Sequence, residues 1–230
     1  MRYSKDKVSI IIPAKNEGSG LKKIISQVKS YASEIIVVDG HSTDDTKKIV
    51  LSQNVKYILD HGRGRGDGVR MGVKKARGEI VVLFDADGSH PPKDIPNLVL
   101  PILKNQADMV MGSRRTGGSF DLSITLDGMA RSVGSDFLVY LVNKKFGSNL
   151  SDILFSFRAI RKSTFKKLGL QSDGFSLEQE MVIKCLEKEY IIAEIPVREN
   201  ARLWGISKLK TRTGIQLLLF LIRDLYFKSL

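Results

Sequence analysis

Two carboxylates stand two residues apart at the end of an apolar run, in the stretch EIVVLFDADGSHPP (residues 79–92). The run Ile80–Phe84 is typical of a fully buried strand, and Asp85 and Asp87 follow it directly. In an open parallel sheet, ligands bind beyond the carboxyl ends of the strands. Such a pair favours Mg²⁺ or Mn²⁺, with water and phosphate oxygens as the remaining ligands. The alternative is a polar turn in which Asp-Gly ends the strand and Pro-Pro starts a helix.

Three other loops carry polar or glycine-rich motifs. PAKNEGSG (residues 13–20) follows the first predicted strand, where it brings amides and a carboxylate near a nucleotide or simply caps a helix. The second strand ends in VVDGHSTDDT, where Asp39 is placed to accept hydrogen bonds from a base or ribose, and His41 is interpreted as a solvated turn residue. GRGRGDGVRMG (residues 62–72) predicts a basic loop that closes over a diphosphate, although it fits neither the Walker A nor the dinucleotide fingerprint.

The elements that must position these loops alternate between strand and helix patterns. In the first half, strands are predicted at 8–12, 34–38, 55–59, 80–84 and 108–112, and helices at 21–28, 44–51, 69–76 and 94–103. This order favours an α/β fold with a doubly wound, mainly parallel central sheet flanked by helices. Further on, helices are predicted at 130–146, 163–168 and 174–187, and strands at 155–160 and 190–195. Without repeats or a linker, residues 1–212 are interpreted as one domain and 213–230 as an apolar C-terminal helix.

Composition restricts the class of protein. The 230 residues are 42% hydrophobic, which is enough for one α/β core. The single cysteine, Cys185, excludes an internal disulfide and a cysteine-based zinc cluster. No stretch fits a signal peptide or a bilayer span, so a cytoplasmic location is expected. The net charge of +12 predicts anionic partners, namely phosphorylated substrates or a lipid surface. Nucleic acid is disfavoured, because no zinc-finger or RNA-binding aromatic signature is present.

The motifs occur in a characteristic order along the chain: IIPAKNEG, IIVVDGHSTDDT, GRGRGDGVRMG, VVLFDADGSHPP, MGSRR, DILFSFRAIRK, GFSLEQE, IAEIPV and RLWGISKL. In this order they resemble the inverting GT-A glycosyltransferases of family two, and most closely the dolichyl-phosphate mannose synthase-like branch. The resemblance covers roughly residues 8–212. It implies a GT-A fold, with a Rossmann-like nucleotide-binding half and an acceptor half.

The resemblance also implies roles for individual residues. Those expected to bind the donor nucleotide are Pro13, Ala14, Glu17, Asp39, Arg65, Asp85 and Ala86. The Mg²⁺ or Mn²⁺ ligands are expected to be Asp85 and Asp87, and the catalytic set is Asp87, Arg114 and Asp152. The acceptor phosphate is expected to meet Arg202, Ser207 and Lys208.

Two positions depart from the pattern of mannose synthases. Those enzymes commonly carry a glutamine, a third metal ligand, where this chain has Ser89. They also carry Ser-Gly where this chain has Phe155 and Ser156. The first departure bears on metal coordination and on the donor. The second bears on acceptor geometry and on any role for Asp152.

The chemistry implied is transfer of a hexose from a nucleotide sugar, GDP-mannose or a UDP-sugar, to a polyprenyl or dolichyl phosphate. A cation and arginines would stabilise the leaving diphosphate. A lipid phosphate is already anionic, whereas a glycan or glycolipid hydroxyl, the alternative acceptor, needs a carboxylate base. Asp152 and Glu180 are candidates for that base, or else structural partners of Arg158 and Lys184. More distant alternatives are a sugar-nucleotide nucleotidyltransferase, whose glycine-rich signature is missing after strand one, and a nonenzymatic membrane-binding module.

The C-terminal stretch 214–230 is apolar but interrupted by Arg223, Asp224 and Lys228. It is predicted to be a helix that lies at the membrane interface, with Lys208, Lys210 and Arg212 near anionic head groups. The alternative is a helix packed on the domain or on a dimer partner. The expected location is therefore peripheral, on the cytosolic face of the membrane. A homo-oligomer or a membrane-protein partner stays open.

Overall fold

The computed structural model describes residues 3–119, 126–204 and 211–226. Its strands are β1 (Val8–Ala14), β2 (Glu34–Asp39), β3 (Lys56–Leu59), β4 (Ile80–Leu83), β5 (Met109–Ser113), β6 (Arg158–Arg161) and β7 (Ile192–Pro196). They form one seven-stranded sheet in the order β3-β2-β1-β4-β6-β5-β7. β6 runs antiparallel to both neighbours, and the other adjacent pairs are parallel. The predicted doubly wound, mainly parallel sheet is confirmed.

Helices cover both faces of the sheet. The α-helices are α1 (Gly18–Val28), α2 (Thr46–Ser52), α3 (Arg65–Lys75), α4 (Ile95–Leu103), α5 (Arg114–Gly117), α6 (Leu126–Phe146), α7 (Lys162–Leu168), α8 (Leu177–Glu187) and α9 (Thr211–Tyr226). Short 3₁₀ turns lie at Lys5–Lys7, Lys29–Tyr31 and Pro92–Asp94. One apolar cluster joins the sheet to α1, α2 and α4, and a second joins it to α3 and α6 to α9. Because both faces are covered, the central strands are almost continuously apolar.

Several boundaries differ from the predicted ones. β1 continues through Pro13 to Ala14, where it still pairs with β2. The predicted strand 155–160 was wrong at its start, since regular strand begins only at Arg158. Residues 155–157 instead form a loop whose aromatic rings pack around a buried histidine. α3 begins at Arg65, within the stretch that was predicted as a loop.

The glycines of that stretch are explained by close packing. A Cβ on Gly72 would lie 2.6 Å from Ile11 Cγ2. Because residue 72 has no side chain, α3 can approach β1 this closely. Gly64, which precedes α3, has φ of +135° and faces the Asp173 carbonyl, 2.6 Å from an added Cβ. The Gly66 amide donates to the same carbonyl at 2.7 Å. This packing fixes the first turn of α3, and with it Arg65, at the carboxyl edge of the sheet.

α9 packs against α6 and α8. Leu217, Leu221 and Leu225 are buried in the apolar cluster that these helices share with the sheet. The helix therefore contributes one of its faces to the core, as the alternative interpretation expected. None of the helices in the described ranges is long and apolar enough to span a bilayer.

Candidate active site

Chain segments from both halves of the protein meet at the carboxyl edge of the parallel strands. Ala14 and Asp39 end β1 and β2 and are paired in register. Asp85 comes two residues after β4, and Arg114 directly follows β5. Because β6 is antiparallel, the residues before it, including Ser156, lie at this same edge. The sheet thus brings together predicted donor-side and acceptor-side residues.

Asp85 is held through both of its carboxylate oxygens. Arg65 Nη2 donates to Oδ1 at 2.8 Å, and Ser156 Oγ donates to Oδ2 at 2.5 Å. Arg65 also pairs with the buried carboxylate of Glu178 on α8. Burial alone would raise the pKa of Asp85, but the charge of Arg65 and the hydrogen bonds outweigh it and hold that pKa below its usual range. Asp85 is therefore an anion at neutral pH.

His90 is almost completely buried beside Asp85. Its Nδ1 accepts the Asp85 main-chain N–H at 3.0 Å, and its Nε2 lies 3.2 Å from Ser156 Oγ. Three phenylalanine rings surround the imidazole. Phe157 stacks on it, and Phe84 and Phe155 contact it edge-on. Burial lowers the pKa of His90, more strongly than the neighbouring aspartates raise it, so the ring is neutral.

Asp87 faces two different partners. Its Oδ1 accepts the Ser89 N–H at 2.9 Å and the Ser89 hydroxyl at 2.7 Å. Its Oδ2 lies 3.0 Å from Arg202 Nη1. Ser89, which replaces the expected glutamine, thus orients Asp87 through a hydrogen bond. Among the described residues, no group of three or more His, Cys, Asp or Glu side chains is arranged to hold a metal ion.

Residues 200–204 lie across the loop that carries the two aspartates. Three hydrogen bonds attach them, from Asn200 N to Ser89 O at 3.0 Å, from Leu203 N to Asp87 O at 3.0 Å and from Trp204 Nε1 to Ala86 O at 2.7 Å. Trp204 also packs on α1, where a Cβ added to Gly20 would lie 1.7 Å from ring atom Cε2. The segment places Arg202 at the site. Ser207 and Lys208 lie outside the described residues.

Arg114 and Asp152 form a two-point ion pair. Arg114 Nε and Nη2 lie 2.7 and 3.0 Å from the Asp152 oxygens, and the Arg114 N–H donates to Oδ2 at 3.2 Å. The Phe155 ring lies 4.8 Å from the guanidinium carbon. Burial would raise the pKa of Asp152, but Arg114 and the hydrogen bonds lower it overall. A carboxylate stabilised in this way is a weak proton acceptor.

The other predicted ion pairs are only partly present. Asp152 pairs with Arg114, not with Arg158, whose buried guanidinium donates to main-chain carbonyls. Glu180 does pair with Lys184, at 3.1 Å. Glu180 also accepts the amides of residues 171 and 172, which lowers its pKa despite burial. Both candidate bases are therefore already bonded within the protein.

The residues predicted to bind the nucleotide lie at and near the ends of β1 and β2. Asp39 is buried and accepts hydrogen bonds from Ser42 N at 2.9 Å, Ser42 Oγ at 2.5 Å and Tyr57 Oη at 2.8 Å. Burial and the Asp39 hydrogen bond raise the pKa of Tyr57 to about 12. Glu17 is buried immediately before α1, and Ala14 accepts the amide of residue 40 at 2.8 Å. Pro13 precedes Ala14 within β1.

Three residues of this site were not singled out from the sequence: His90, Ser156 as a partner of Asp85, and Glu178. Sixty-six residues separate His90 from Ser156, and 113 separate Arg65 from Glu178. Local periodicity carries no signal at such separations. His90 and Glu178 lie within the motifs VVLFDADGSHPP and GFSLEQE, and Ser156 lies between two phenylalanines, but none of these patterns identifies their partners.

Residues 9–169 match the family model described as Glycosyl transferase family 2. The chain belongs to this family. It is therefore a glycosyltransferase, as the motif order implied. The family match includes the two aspartates after β4 and the Arg114–Asp152 pair.

Three curated proteins are among the relatives of this glycosyltransferase. An uncharacterized protein of Methanocaldococcus jannaschii is 29% identical over 97% of this chain and 94% of its own length. A dolichol-phosphate mannosyltransferase of Pyrococcus furiosus is 31% identical over 94% of this chain. A low-salt glycan biosynthesis hexosyltransferase of Haloferax volcanii is 26% identical over 85% of this chain. The chain spans 63% and 48% of the last two relatives.

Solved structures agree with the fold. Glucosyl-3-phosphoglycerate synthase from Mycobacterium tuberculosis, in complex with Mn²⁺, UDP and glucosyl-3-phosphoglycerate, superposes with a TM-score of 0.77 at 18% identity, covering 96% of this chain and 80% of that chain. The same enzyme with Mg²⁺ and UDP gives a TM-score of 0.77 at 19% identity, covering 96% and 79%. These likenesses establish the GT-A architecture of this glycosyltransferase.

Proposed function

We propose that this glycosyltransferase moves a hexose, with inversion, from a nucleotide sugar to a polyprenyl phosphate, and that it requires Mg²⁺ or Mn²⁺. The observation that carries the proposal is the pair Asp85 and Asp87 at the carboxyl edge of the sheet, faced by Arg65 and Arg202. The name of the Pyrococcus furiosus relative supports a lipid-phosphate acceptor. The M. tuberculosis complexes support a divalent cation.

The chemistry of the donor set fits such a cation. Asp85 and Asp87 are the oxygen ligands that Mg²⁺ and Mn²⁺ prefer, and each carboxylate has more lone pairs than the hydrogen bonds described above occupy. Two protein carboxylates leave the other coordination positions to diphosphate oxygens and water, the usual arrangement for Mg²⁺ with phosphates. When bound, the cation would stabilise the negative charge of the leaving nucleoside diphosphate.

The protein's own residues would complete the donor site. Ala14, Glu17 and Asp39 lie at the edge where a nucleoside would bind, with Asp39 as the proposed acceptor of its hydrogen bonds. Arg114 would add positive charge near the phosphates. It is oriented for this by the two-point bond to Asp152, which makes Asp152 a positioning residue in this proposal.

The state of the acidic residues supports an anionic acceptor. Deprotonating a sugar hydroxyl requires a positioned base. Asp152 is engaged by Arg114, and Glu180 by Lys184 and two amides. A lipid phosphate needs no such base, only cationic residues to orient it. Arg202 is proposed for that role, together with Ser207 and Lys208.

Exposed apolar side chains support a peripheral position at a membrane surface, which we propose to be the cytosolic face. Val133, Phe137 and Tyr140 stand on one face of α6 with 70%, 49% and 56% of their surface exposed. Leu219, on the adjoining helix α9, is 62% exposed. Apolar residues on a strongly basic protein are the combination that binds anionic lipid surfaces. The proposed interface therefore includes α6 as well as α9.

A donor and acceptor panel tests the proposal. GDP-mannose and UDP-hexoses would be incubated with Mn²⁺ or Mg²⁺ and a polyprenyl phosphate, and the glycolipid product quantified. We expect transfer with one donor type, abolished by EDTA and restored by Mn²⁺. Transfer only to a glycan or glycolipid hydroxyl would replace the lipid-phosphate acceptor. Release of pyrophosphate from a nucleoside triphosphate and a sugar phosphate would indicate a nucleotidyltransferase.

A further inference from the structure

We propose that Ser156 and His90 are positioning residues that hold Asp85 in the orientation in which it binds the donor's cation. The proposal deepens the proposed function and rests on its assignment of Asp85 as a cation ligand. It is carried by a closed ring of hydrogen bonds among these three residues. Neither Ser156 nor His90 is thereby a cation ligand.

The direction of each hydrogen bond in the ring follows from its donors. The Asp85 main-chain N–H donates to His90 Nδ1 at 3.0 Å, so Nδ1 carries no hydrogen. In the neutral imidazole the hydrogen is then on Nε2, which donates to Ser156 Oγ at 3.2 Å. The Ser156 hydroxyl hydrogen is left to bond Asp85 Oδ2, at 2.5 Å. The three hydrogen bonds therefore run from Asp85 to His90, from His90 to Ser156 and from Ser156 back to Asp85, and each bond has one hydrogen.

The imidazole is well suited to hold this arrangement. His90 is buried and stacked on Phe157, with ring centroids 4.7 Å apart, while Phe84 and Phe155 contact it edge-on at 5.3 and 5.1 Å. Aromatic packing on several sides restricts rotation of the ring, and restricted rotation fixes where Nε2 points. Ser156 is thus held by a rigid group on one side and bonds the carboxylate on the other.

The ring and Arg65 act on different oxygens of Asp85. Arg65 holds Oδ1 at 2.8 Å, and Ser156 holds Oδ2. With both oxygens bonded, the carboxylate plane is defined, and so are the lone pairs left for a cation. Removal of the Ser156 hydroxyl leaves Oδ1 held but removes the hydrogen bond to Oδ2, whose contact with His90 Nε2 is longer, at 3.6 Å. Outer residues that orient metal ligands commonly change metal affinity by 10- to 100-fold.

Mn²⁺ binding measures this role without turnover. Free Mn²⁺ would be followed by electron paramagnetic resonance during titration of the full chain, with Mn²⁺ alone and with UDP or GDP added. We expect Ser156→Ala to raise the Kd for Mn²⁺ about tenfold and Ser156→Thr, which keeps the hydroxyl, to restore it. Ser9→Ala is the matched control, because Ser9 Oγ donates to the Glu34 carboxylate at 2.6 Å, in a different part of the sheet.

A double-mutant cycle tests whether His90 acts through Ser156. We expect His90→Gln to weaken Mn²⁺ binding in the wild-type background and to have little further effect in Ser156→Ala. Melting temperatures recorded for each variant separate loss of folded protein from loss of affinity. Wild-type Mn²⁺ affinity in Ser156→Ala, or fully additive effects of the two changes, would overturn the proposal.

Asp87→Asn separates the failure of this inference from the failure of the proposed function. If Asp87→Asn loses Mn²⁺ binding while Ser156→Ala keeps it, only the positioning role is wrong. If Asp87→Asn and Asp85→Asn both bind Mn²⁺ as the wild type does, or if the wild type binds none under any of these conditions, both proposals are overturned.

Discussion

Arg202 and Asp87 form an ion pair, with 3.0 Å between Arg202 Nη1 and Asp87 Oδ2. The sequence assigned these residues to different substrates, Asp87 to the cation of the donor and Arg202 to the phosphate of the acceptor. Their contact means that one pair of charges lies between the two proposed substrates. A change at either residue is therefore expected to alter the other's surroundings. The two effects are separated by measuring KM for the nucleotide sugar and KM for the acceptor independently.

Asp87→Ala is expected to abolish transfer while the protein stays folded. Loss of a carboxylate ligand removes cation stabilisation of the leaving diphosphate, worth several kcal/mol. The measurement is the transfer rate with saturating donor and Mn²⁺, alongside circular dichroism. Asp173→Ala serves as the control, because this partly exposed carboxylate lies in the loop between α7 and α8 and pairs with Arg70 of α3, away from Asp87. Wild-type rates in excess EDTA would contradict the metal assignment.

Arg202→Ala is expected to raise KM for a polyprenyl phosphate by roughly 10- to 100-fold, since a charge-assisted hydrogen bond contributes about 1.5–3 kcal/mol. KM for the nucleotide sugar should change less, because the bound cation would neutralise the negative charge of Asp87 in the absence of Arg202. Arg198→Ala, an exposed arginine of the same basic segment, is the matched control. If donor affinity fell while transfer to the lipid stayed normal, the acceptor role would have to be abandoned.

Gly20→Ala is expected to displace Trp204 and, with it, the segment that carries Arg202. The added Cβ would lie 1.7 Å from the indole, and an overpacked contact typically costs about 1–3 kcal/mol. Trp204 is the only tryptophan, so its fluorescence emission reports the displacement directly. Gly134→Ala in α6 is the control, since nothing lies within 4 Å of its added Cβ. Unchanged emission and activity in Gly20→Ala would contradict the packing role.

Asp152→Asn is expected to lower the free energy of unfolding at neutral pH by about 2 kcal/mol, because it removes the charge from the two-point ion pair with Arg114, whose longer contact with Glu199 at 3.8 Å remains. The folded-state pKa of Asp152 is depressed, so its contribution is present above its unfolded pKa and is lost as pH falls through the folded pKa. The difference between wild type and variant, measured by urea unfolding, should therefore shrink in acid. A difference that stayed constant or grew towards low pH would contradict this pairing.

Phe137→Ser combined with Leu219→Ser is expected to weaken flotation with anionic liposomes. Both side chains are exposed and apolar, on α6 and α9. Truncating α9 would be a poorer test, since it also removes Leu217 and Leu221 from the core. Leu51→Ser, at a leucine 60% exposed on α2, controls for general loss of surface hydrophobicity. Equal flotation of all variants, or none by the wild type, would refute the proposed membrane surface.

Much of the fold was predictable because its signals are local. Each strand of the first half is a short apolar run that ends at a polar turn, and the aspartates after β4 were recognised from that run. The boundary errors occurred where local pattern and packing disagree. All four residues from Arg65 to Gly68 are polar or glycine, which suggests a loop, yet α3 is helical there because its glycines allow contact with the Asp173 carbonyl.

The contacts around Asp85 were not predictable in the same way. The bond between Ser156 and Asp85 depends on the antiparallel register that pairs Leu83 with Arg158. Likewise, Asp152 was weighed as a partner of Arg158 because the two are near in sequence. The fold instead brings Arg114 to it from the end of β5. Register and strand order are properties of the whole sheet, so a one-dimensional pattern does not contain them.

The reversed direction of β6 has a consequence for how such a protein can diversify. In a fully parallel sheet, only the loops after the strands reach the ligand edge. Here the connection before β6, residues 147–157, reaches it as well. Asp152 and Ser156 in that connection contact Arg114 and Asp85, so insertions or substitutions there would also reach the residues proposed to hold the donor's diphosphate and cation. One strand turned end for end thus couples the evolution of this connection to that of the β4 and β5 loops.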